Sequence, residues 1–375
     1  MTSPPLGSTV QKSGWDKLKT QNSKLKTPMS LPVLSSPTQS ESTSVFGALQ
    51  DSHGRVIHDL RISVTDRCNF RCSYCMPIEG LAWKPKSELL TFEEIFQLTK
   101  IFVGLGITKL RITGGEALLR RGVVNLIENL AGLPDVQDLA LTTNGYYLKE
   151  HTPDLVRAGL RRVTISLDSL NPQGFHNLTK INALPRVIES IDVAQKAGLT
   201  PVKVNCVLIR GVNDHEIEDF AEFARLWGLH VRFIEYMPLD GPGAWSRDRV
   251  VPGREVYDRI QARFPLLPVA GKDLSETARR FRFSDGVSGE IGIIAPVTEP
   301  FCGACSRIRL TSDGKLRTCL FSLHEYDLRE PLRAGATVDE LITIIQSAVF
   351  RKEPGHRINA RDFIAPERTM SCIGG

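Results

Sequence analysis

Residues 68–77 of this 375-residue chain read CNFRCSYCMP and set three cysteines, Cys68, Cys72 and Cys75, at C-x3-C-x2-C spacing. A disulfide framework uses an even number of thiols, and a closed tetrahedral metal site uses four ligands. Three thiolates on one loop suit a [4Fe–4S] cube, the cluster that cysteines ordinarily hold. Three irons are then anchored, and the fourth is left for a small molecule, as catalytic zinc keeps a position for substrate. A structural zinc that takes its fourth ligand from elsewhere, such as His58, is the alternative.

Residues 302–319, CGACSRIRLTSDGKLRTC, repeat the odd count with Cys302, Cys305 and Cys319. A zinc ribbon would bring a second C-x2-C pair, which is absent. Cys372 could complete a four-cysteine zinc site here, whereas Cys206, on the apolar face of a strand-like run, reads as a packed core thiol. Arg307 and Arg309 flank Ile308, so strand alternation puts both guanidiniums on one face beside the cysteines, and Ser-Asp-Gly marks a hairpin turn. Such forks recognise planar or phosphate groups, unless the face is simply solvated.

The elements that must position these residues show a regular rhythm. LRISVT, KLRITGG, LALTTNG, RVTISLD, VKVNCVLI and HVRFIEYM read as strands, each followed by a helical pattern, at intervals of roughly 30 residues. The first helix opens with a Thr91-x-x-Glu94 capping box. Five of the strands are apolar on one face only: Leu60 and Ile62 alternate with Arg61, and Leu110 and Ile112 with Lys109 and Arg111. Val163 and Ile165 alternate with Thr164 and Ser166, Val202 and Val204 with Lys203, and Val231 and Phe233 with Arg232. A closed eight-stranded barrel fills its interior with apolar layers. Polar inner faces therefore predict a six-stranded partial barrel with an open, cationic lumen. The chemistry-bearing residues gather at the C-terminal ends of the strands, where parallel sheets and barrels carry their sites.

Composition narrows the function. The chain is 41% hydrophobic and 24% charged, as in soluble globular proteins. No apolar run reaches the roughly 20 residues of a membrane span, and no secretory h-region opens it. Residues 1–45 are rich in Ser, Thr and Pro and hold five Lys against one Asp and one Glu; they read as a disordered tail. That tail accounts for +3 of the net +5, so the folded body lacks the basic footprint of a nucleic-acid protein. The expected organisation is a tail over 1–45, a partial barrel over 46–265 and an auxiliary-cluster domain over 266–375 ending in Gly-Gly. The expected setting is the bacterial cytoplasm, with organelle targeting by the tail left open.

C-x3-C-x2-C after the first strand, with Tyr74 before the third cysteine, resembles the radical S-adenosylmethionine (SAM) superfamily. There the free iron chelates SAM, whose cleavage releases a 5′-deoxyadenosyl radical. Gly114-Gly115-Glu116 resembles the Gly-Gly-Glu-Pro element that meets the SAM amino group, with Ala117 in place of Pro. By the same resemblance Tyr74, Gly115, Glu116, Ser166 and Met237 are the SAM contacts.

DLRISVTDRCNFRCSYCMP, LRITGGE, LTTNG, FCGACSRIRLTSDGKLRTCLF and the terminal Ile373-Gly374-Gly375 together resemble the GTP 3′,8-cyclase family of molybdenum cofactor biosynthesis. The likeness runs from about residue 55 to the C-terminus. It implies two [4Fe–4S] clusters, the second at Cys302, Cys305 and Cys319 with an open iron that binds guanine, and a diglycine tail reaching the active site. The radical would take the ribose C3′ hydrogen of GTP, and the new carbon radical would attack guanine C8. Arg61, Lys109, Arg111, Lys203 and Arg232 would neutralise the triphosphate, and Thr142 would contact the nucleotide. Arg307 and Arg309 would orient the base, with Gly374 and Gly375 in the catalytic set. The implied partners are an electron donor and a downstream cyclic pyranopterin monophosphate synthase; a homodimer is compatible. The rivals are a radical SAM enzyme that modifies peptides, and a zinc-bearing binding module.

Overall fold

The computed structural model describes residues 47–76, 83–239, 245–271 and 273–374; the expected tail over 1–45 and Gly375 lie outside the described residues. Six parallel strands follow one another in chain order: β1 (Asp59–Ser63), β2 (Lys109–Thr113), β3 (Asp138–Thr143), β4 (Arg162–Ser166), β5 (Lys203–Leu208) and β6 (His230–Glu235). Between them run α1 (Phe92–Gly104), α2 (Val123–Ala131), α3 (Leu148–Arg157), α4 (Pro172–Thr179), α5 (Leu184–Lys196) and α6 (Ile217–Trp227).

The first helix begins as its sequence predicts. Glu94 N–H donates to Thr91 Oγ1 at 3.1 Å, and Thr91 N–H donates to Glu94 Oε2 at 2.7 Å. Ile95, Leu98 and Phe102 are buried along one stripe of α1.

The register of β1 on β2 pairs Leu60 with Leu110, Arg61 with Arg111 and Ile62 with Ile112. All four aliphatic side chains are buried in the core under the helices. Burying one such side chain is worth about 1.5–3 kcal/mol, and the same parity turns Arg61 and Arg111 to the opposite, lumen side.

The sheet does not stop at these six strands. After α7 (Gly253–Arg263), a meander of β7 (Leu266–Val269), β8 (Arg279–Phe283) and β9 (Glu290–Ile294) adds to one edge, with β9 parallel to β6. On the other edge β10 (Arg307–Leu310) pairs in parallel with β1, and β11 (Lys315–Arg317) and β12 (Tyr326–Asp327) continue outward antiparallel. The result is one open sheet of twelve strands, a partial barrel whose two edges are both extended by the C-terminal third. Arg309 lands opposite Arg61, so strand pairing alone brings the second cysteine segment to the lumen. The Ser-Asp-Gly turn closes β10 onto β11 with Gly314 at φ 81°. Helices α8 (Arg329–Arg333), α9 (Val338–Phe350) and α10 (Met370–Ile373) complete the chain.

Candidate active site

The first cysteine triad sits beyond the C-terminal end of β1, braced from three sides. Beneath it, Gly115 N–H donates to Thr65 O and Glu116 N–H to Arg67 O, each at 2.8 Å. The approach is so close that a Cβ on Gly115 would lie 2.3 Å from Arg67 O and 2.7 Å from Asp66 O. Only glycine fits there. Glu116 is fully buried, and its carboxylate accepts from Leu118 N–H (3.0 Å), Thr143 Oγ1 (2.8 Å) and Asn144 N–H (2.7 Å). The bond to Leu118 closes the turn at Ala117, so the departure from Gly-Gly-Glu-Pro leaves that turn hydrogen-bonded. Asn144 in turn reaches the loop, donating to Asn69 Oδ1 at 2.8 Å and approaching Cys68 Sγ at 3.8 Å. From the end of β4, Asp168 accepts the Tyr74 hydroxyl at 2.6 Å and Val207 N–H at 2.8 Å.

Burial pushes the Cys68 thiol up to about 11 and the Cys75 thiol up to about 12. Without a metal such thiols stay protonated, and a bound metal would have to displace their protons. Three of them lie on one loop, with Cys75 N–H closing onto Cys72 O at 2.9 Å, a donor set that suits a cube anchored at three irons. His58 does not supply a fourth ligand. It precedes β1, at the opposite end of the strand from Cys68, and its Nε2 meets Asp273 at 3.2 Å.

The second triad lies on the turn before β10 and just after β11. Cys305 N–H donates to Cys302 O at 3.1 Å. Burial would raise the Cys305 thiol, but Arg307, whose Nη2 approaches its sulfur at 3.5 Å, and Lys352 bring it down to about 7. Lys352 is buried and donates to Arg307 O at 2.9 Å and to Thr318 O. Arg55 ties Cys302 O (2.9 Å) to Glu353 O (2.6 Å) and Pro354 O (2.9 Å). Cys372 does not join this set. It lies on α10 beside Cys75 of the first triad, where the Ser371 amide faces the Cys75 sulfur. Cys206 is wholly buried in the core, as its apolar face implied.

A cavity opens into the lumen beneath the second triad. Its walls include Cys302, Cys305, Cys319, Arg61, Arg111, Thr142, Arg232, Met237, Arg307, Arg309 and Met370. The first triad is not among its described lining residues. Helix α10 links the two, with Met370 in the cavity wall and Ser371 at Cys75. Arg309 donates to Ile373 O at 3.4 Å and also to Gly374 O, tying the tail to β10.

A second chamber, toward the N-terminal ends of the strands, shares Arg61, Arg111, Arg232 and Arg307 with the first and adds Lys109 and Lys203. The predicted cations therefore converge, but Lys109 and Lys203 line only the lower chamber. Lys109 is also partly neutralised, donating to Asp273 at 3.0 Å. Among the described residues, Arg61, Arg111, Lys203 and Arg232 make no carboxylate ion pair. Arg111 donates instead to Thr142 Oγ1 (3.3 Å) and Thr164 Oγ1 (3.1 Å). Burial, then Arg232 and its neighbours, bring Lys203 down to about 6; burial with Arg111 and Arg162 brings Arg232 down to about 10. The buried Arg61, Arg111 and Arg232, with Lys203 ready to take up a proton, suit a polyanion. Ser166 ends β4 opposite Asn205 of β5.

Comparison with known proteins decides the family. The radical SAM superfamily model matches residues 62–224, and the Molybdenum Cofactor Synthesis C model matches residues 229–358. A GTP 3′,8-cyclase of Streptomyces coelicolor is 44% identical over 87% of this chain and 96% of its own length. The GTP 3′,8-cyclase of Thermodesulfovibrio yellowstonii is 45% identical over 87% of this chain and its full length. The chain belongs to the GTP 3′,8-cyclase family. A mitochondrial GTP 3′,8-cyclase of Arabidopsis thaliana is also similar, 43% identical over 90% of this chain and 86% of that protein.

The fold of this family member recurs in distant solved structures. Streptococcus suis SuiB bound to precursor peptide SuiA aligns with a TM-score of 0.58 at 13% identity, covering 84% of this chain and 76% of that one. Native anSMEcpe with bound AdoMet aligns at 0.51 and 15%, covering 80% and 82%. Among the described residues no helix is long and apolar enough to cross a membrane.

Four residues that hold the site escape motif reading. Asn144 and Asp168 stand inside the conspicuous strand ends TTNG and SLDSL. Their positions mark them as site-facing, but their contacts to Cys68 and Tyr74 span more than 70 residues. Lys352 and His356, another lining residue of the upper cavity, lie in a segment after α9 with no distinguishing pattern.

Proposed function

We propose that this chain converts GTP to 3′,8-cyclo-7,8-dihydroguanosine 5′-triphosphate, the radical SAM step that begins molybdenum cofactor biosynthesis. The observation that carries this reading is the set of buried arginines, Arg61, Arg111 and Arg232, that line the upper cavity below the second triad and, among the described residues, make no carboxylate ion pair. Neither a peptide substrate nor a structural zinc calls for it.

Cys68, Cys72 and Cys75 hold a [4Fe–4S] cluster, and Tyr74, Gly115, Glu116, Ser166 and Met237 surround SAM. Once bound, these groups supply the carbon radical that removes the ribose C3′ hydrogen. The Glu116 carboxylate serves that pocket from behind, because its oxygens already hold Leu118, Thr143 and Asn144. Arg61, Arg111 and Arg232 bear on the triphosphate at the junction of the chambers, with Lys109 and Lys203 reaching it from below. Preorganised charges of this kind act strongly in a site that excludes water. Thr142 adds a hydroxyl beside Arg111. Cys302, Cys305 and Cys319 hold the second cluster and, with Arg307 and Arg309, orient the base. Arg309 also positions Gly374, and the diglycine tail, Gly374 and Gly375, belongs to the catalytic set by the family resemblance.

The proposal includes an external one-electron donor, a cyclic pyranopterin monophosphate synthase that consumes the product, and a bacterial cytoplasmic setting with organelle targeting by the tail left open; a homodimer is compatible with it. Anaerobic reconstitution tests its centre. About eight irons and eight sulfides per chain are expected for two cubanes, with 5′-deoxyadenosine formed in step with GTP consumption. Zinc in place of iron with no SAM cleavage would make the chain a binding module. SAM cleavage indifferent to GTP would favour a peptide-modifying enzyme.

A further inference from the structure

His356 stands in the wall of the upper cavity beside Cys302, Cys305 and Cys319. Its ring packs edge-on against Phe321, centroids 5.5 Å apart at 63°. The preceding residue, Gly355, lies so near the second triad that a Cβ there would come within 3.0 Å of Cys302 Cβ and 3.4 Å of its sulfur. Yet Nδ1 and Nε2 are both buried, and neither has a hydrogen-bond partner among the described residues. The Pro296 carbonyl approaches the ring without meeting hydrogen-bond geometry.

A buried polar atom without a partner is costly and rare in folded proteins. Two on one ring, in the wall of a ligand cavity, point to a group that arrives with the ligand. An imidazole offers a donor and, when neutral, an acceptor, which matches the hydrogen-bonding edge of a purine. Iron ligation is the competing use of the ring. A ligating histidine normally donates its other ring N–H to a carboxylate or carbonyl that fixes its orientation, and the carbonyl that approaches His356, that of Pro296, falls short of hydrogen-bond geometry.

We infer that His356 is a specificity-determining residue that hydrogen-bonds the edge of the guanine base at the second triad. This rests on the GTP reading of the site. Phe321 sets the plane of the imidazole, Gly355 sets its distance from the cluster end of the cavity, and Arg307 flanks it.

The test compares His356→Phe, which keeps the aromatic packing, with His356→Gln, which restores hydrogen bonding. KM and kcat are measured for GTP and for inosine triphosphate, which lacks the 2-amino group, alongside iron content and the EPR spectrum without nucleotide. For His356→Phe, KM for GTP should rise about tenfold or more with a smaller change in kcat. Its preference for GTP over inosine triphosphate should shrink, and its iron content and nucleotide-free spectrum should match the wild type. His356→Gln should recover part of the loss. Unchanged KM in both variants would overturn the inference, as would loss of iron or an altered nucleotide-free spectrum, which would make the residue an iron ligand. A wild-type enzyme that binds no guanine nucleotide in equilibrium dialysis would instead overturn the GTP reading itself.

Discussion

The hydroxyl of Tyr74 donates to Asp168 at 2.6 Å. Tyr74 lies between two cysteines of the first triad, and Asp168 lies at the end of β4, so this one bond pins the loop to the barrel rim. The carboxylate is buried, which raises its pKa to about 6, and a hydrogen bond to a charged acceptor is worth about 1.5–3 kcal/mol. Tyr74→Phe should keep the fold by circular dichroism but lower iron retention at the first triad and slow SAM cleavage by about tenfold, the usual scale for a residue that positions metal ligands. Iron content and cleavage rate equal to wild type would show that the loop holds without the bond.

Gly115→Ala should be more severe. The added methyl would meet Arg67 O at 2.3 Å, and that backbone leads directly into Cys68. Iron should fall from about eight to about four per chain as the first cluster is lost and the second persists. Mössbauer quantification of reconstituted protein distinguishes this from loss of both.

Arg309→Lys keeps a positive charge but loses the guanidinium Nη1 that donates to both Ile373 O and Gly374 O. GTP-dependent product formation should drop at least about tenfold, while uncoupled SAM cleavage continues because the first triad is untouched. Arg307→Ala, which removes the guanidinium beside Cys305, should behave alike. GTP turnover unchanged in both would remove the orienting role.

Lys203 makes stability depend on pH. Its folded-state pKa is lowered from 10.5 to about 6, chiefly by burial and then by Arg232. Between those values the unfolded chain binds the extra proton, so the residue's contribution to stability rises with pH through that window, and its cost is greatest below pH 6. Lys203→Met should therefore be more stable than wild type at pH 7, and the gap should narrow toward pH 9.5 in denaturant titrations. The same lysine should take up a proton when GTP binds. Calorimetry at pH 7.5 in buffers of different ionisation enthalpy should show this uptake in the wild type and lose it in the variant.

Much of this architecture could be read from residue order because the signals were local. The Thr91–Glu94 box, the alternation of Leu60, Arg61 and Ile62, and the two cysteine spacings each lie within a short stretch of chain. What could not be read was set by tertiary pairing. Asp273 neutralises Lys109 across 164 positions, and His58 turns to that same carboxylate and away from the cysteines. Cys372 lies beside Cys75 because α10 folds back over the barrel. Strands β7, β8, β9 and β12 were also missed: Pro268 interrupts the first, and Arg280 and Arg282 give the second a charged face. Pairing of β8 with β9, and of β7 with β8, overrides both weak propensities.

Both flanks of the six-stranded unit are hydrogen-bonded by segments that come much later in the chain, β9 on β6 and β10 on β1. Unpaired strand edges invite intermolecular pairing. A fragment ending near residue 265 would expose two of them at once and should aggregate during expression. The intact protein should melt in one cooperative transition, because neither portion can lose its structure without uncovering the other.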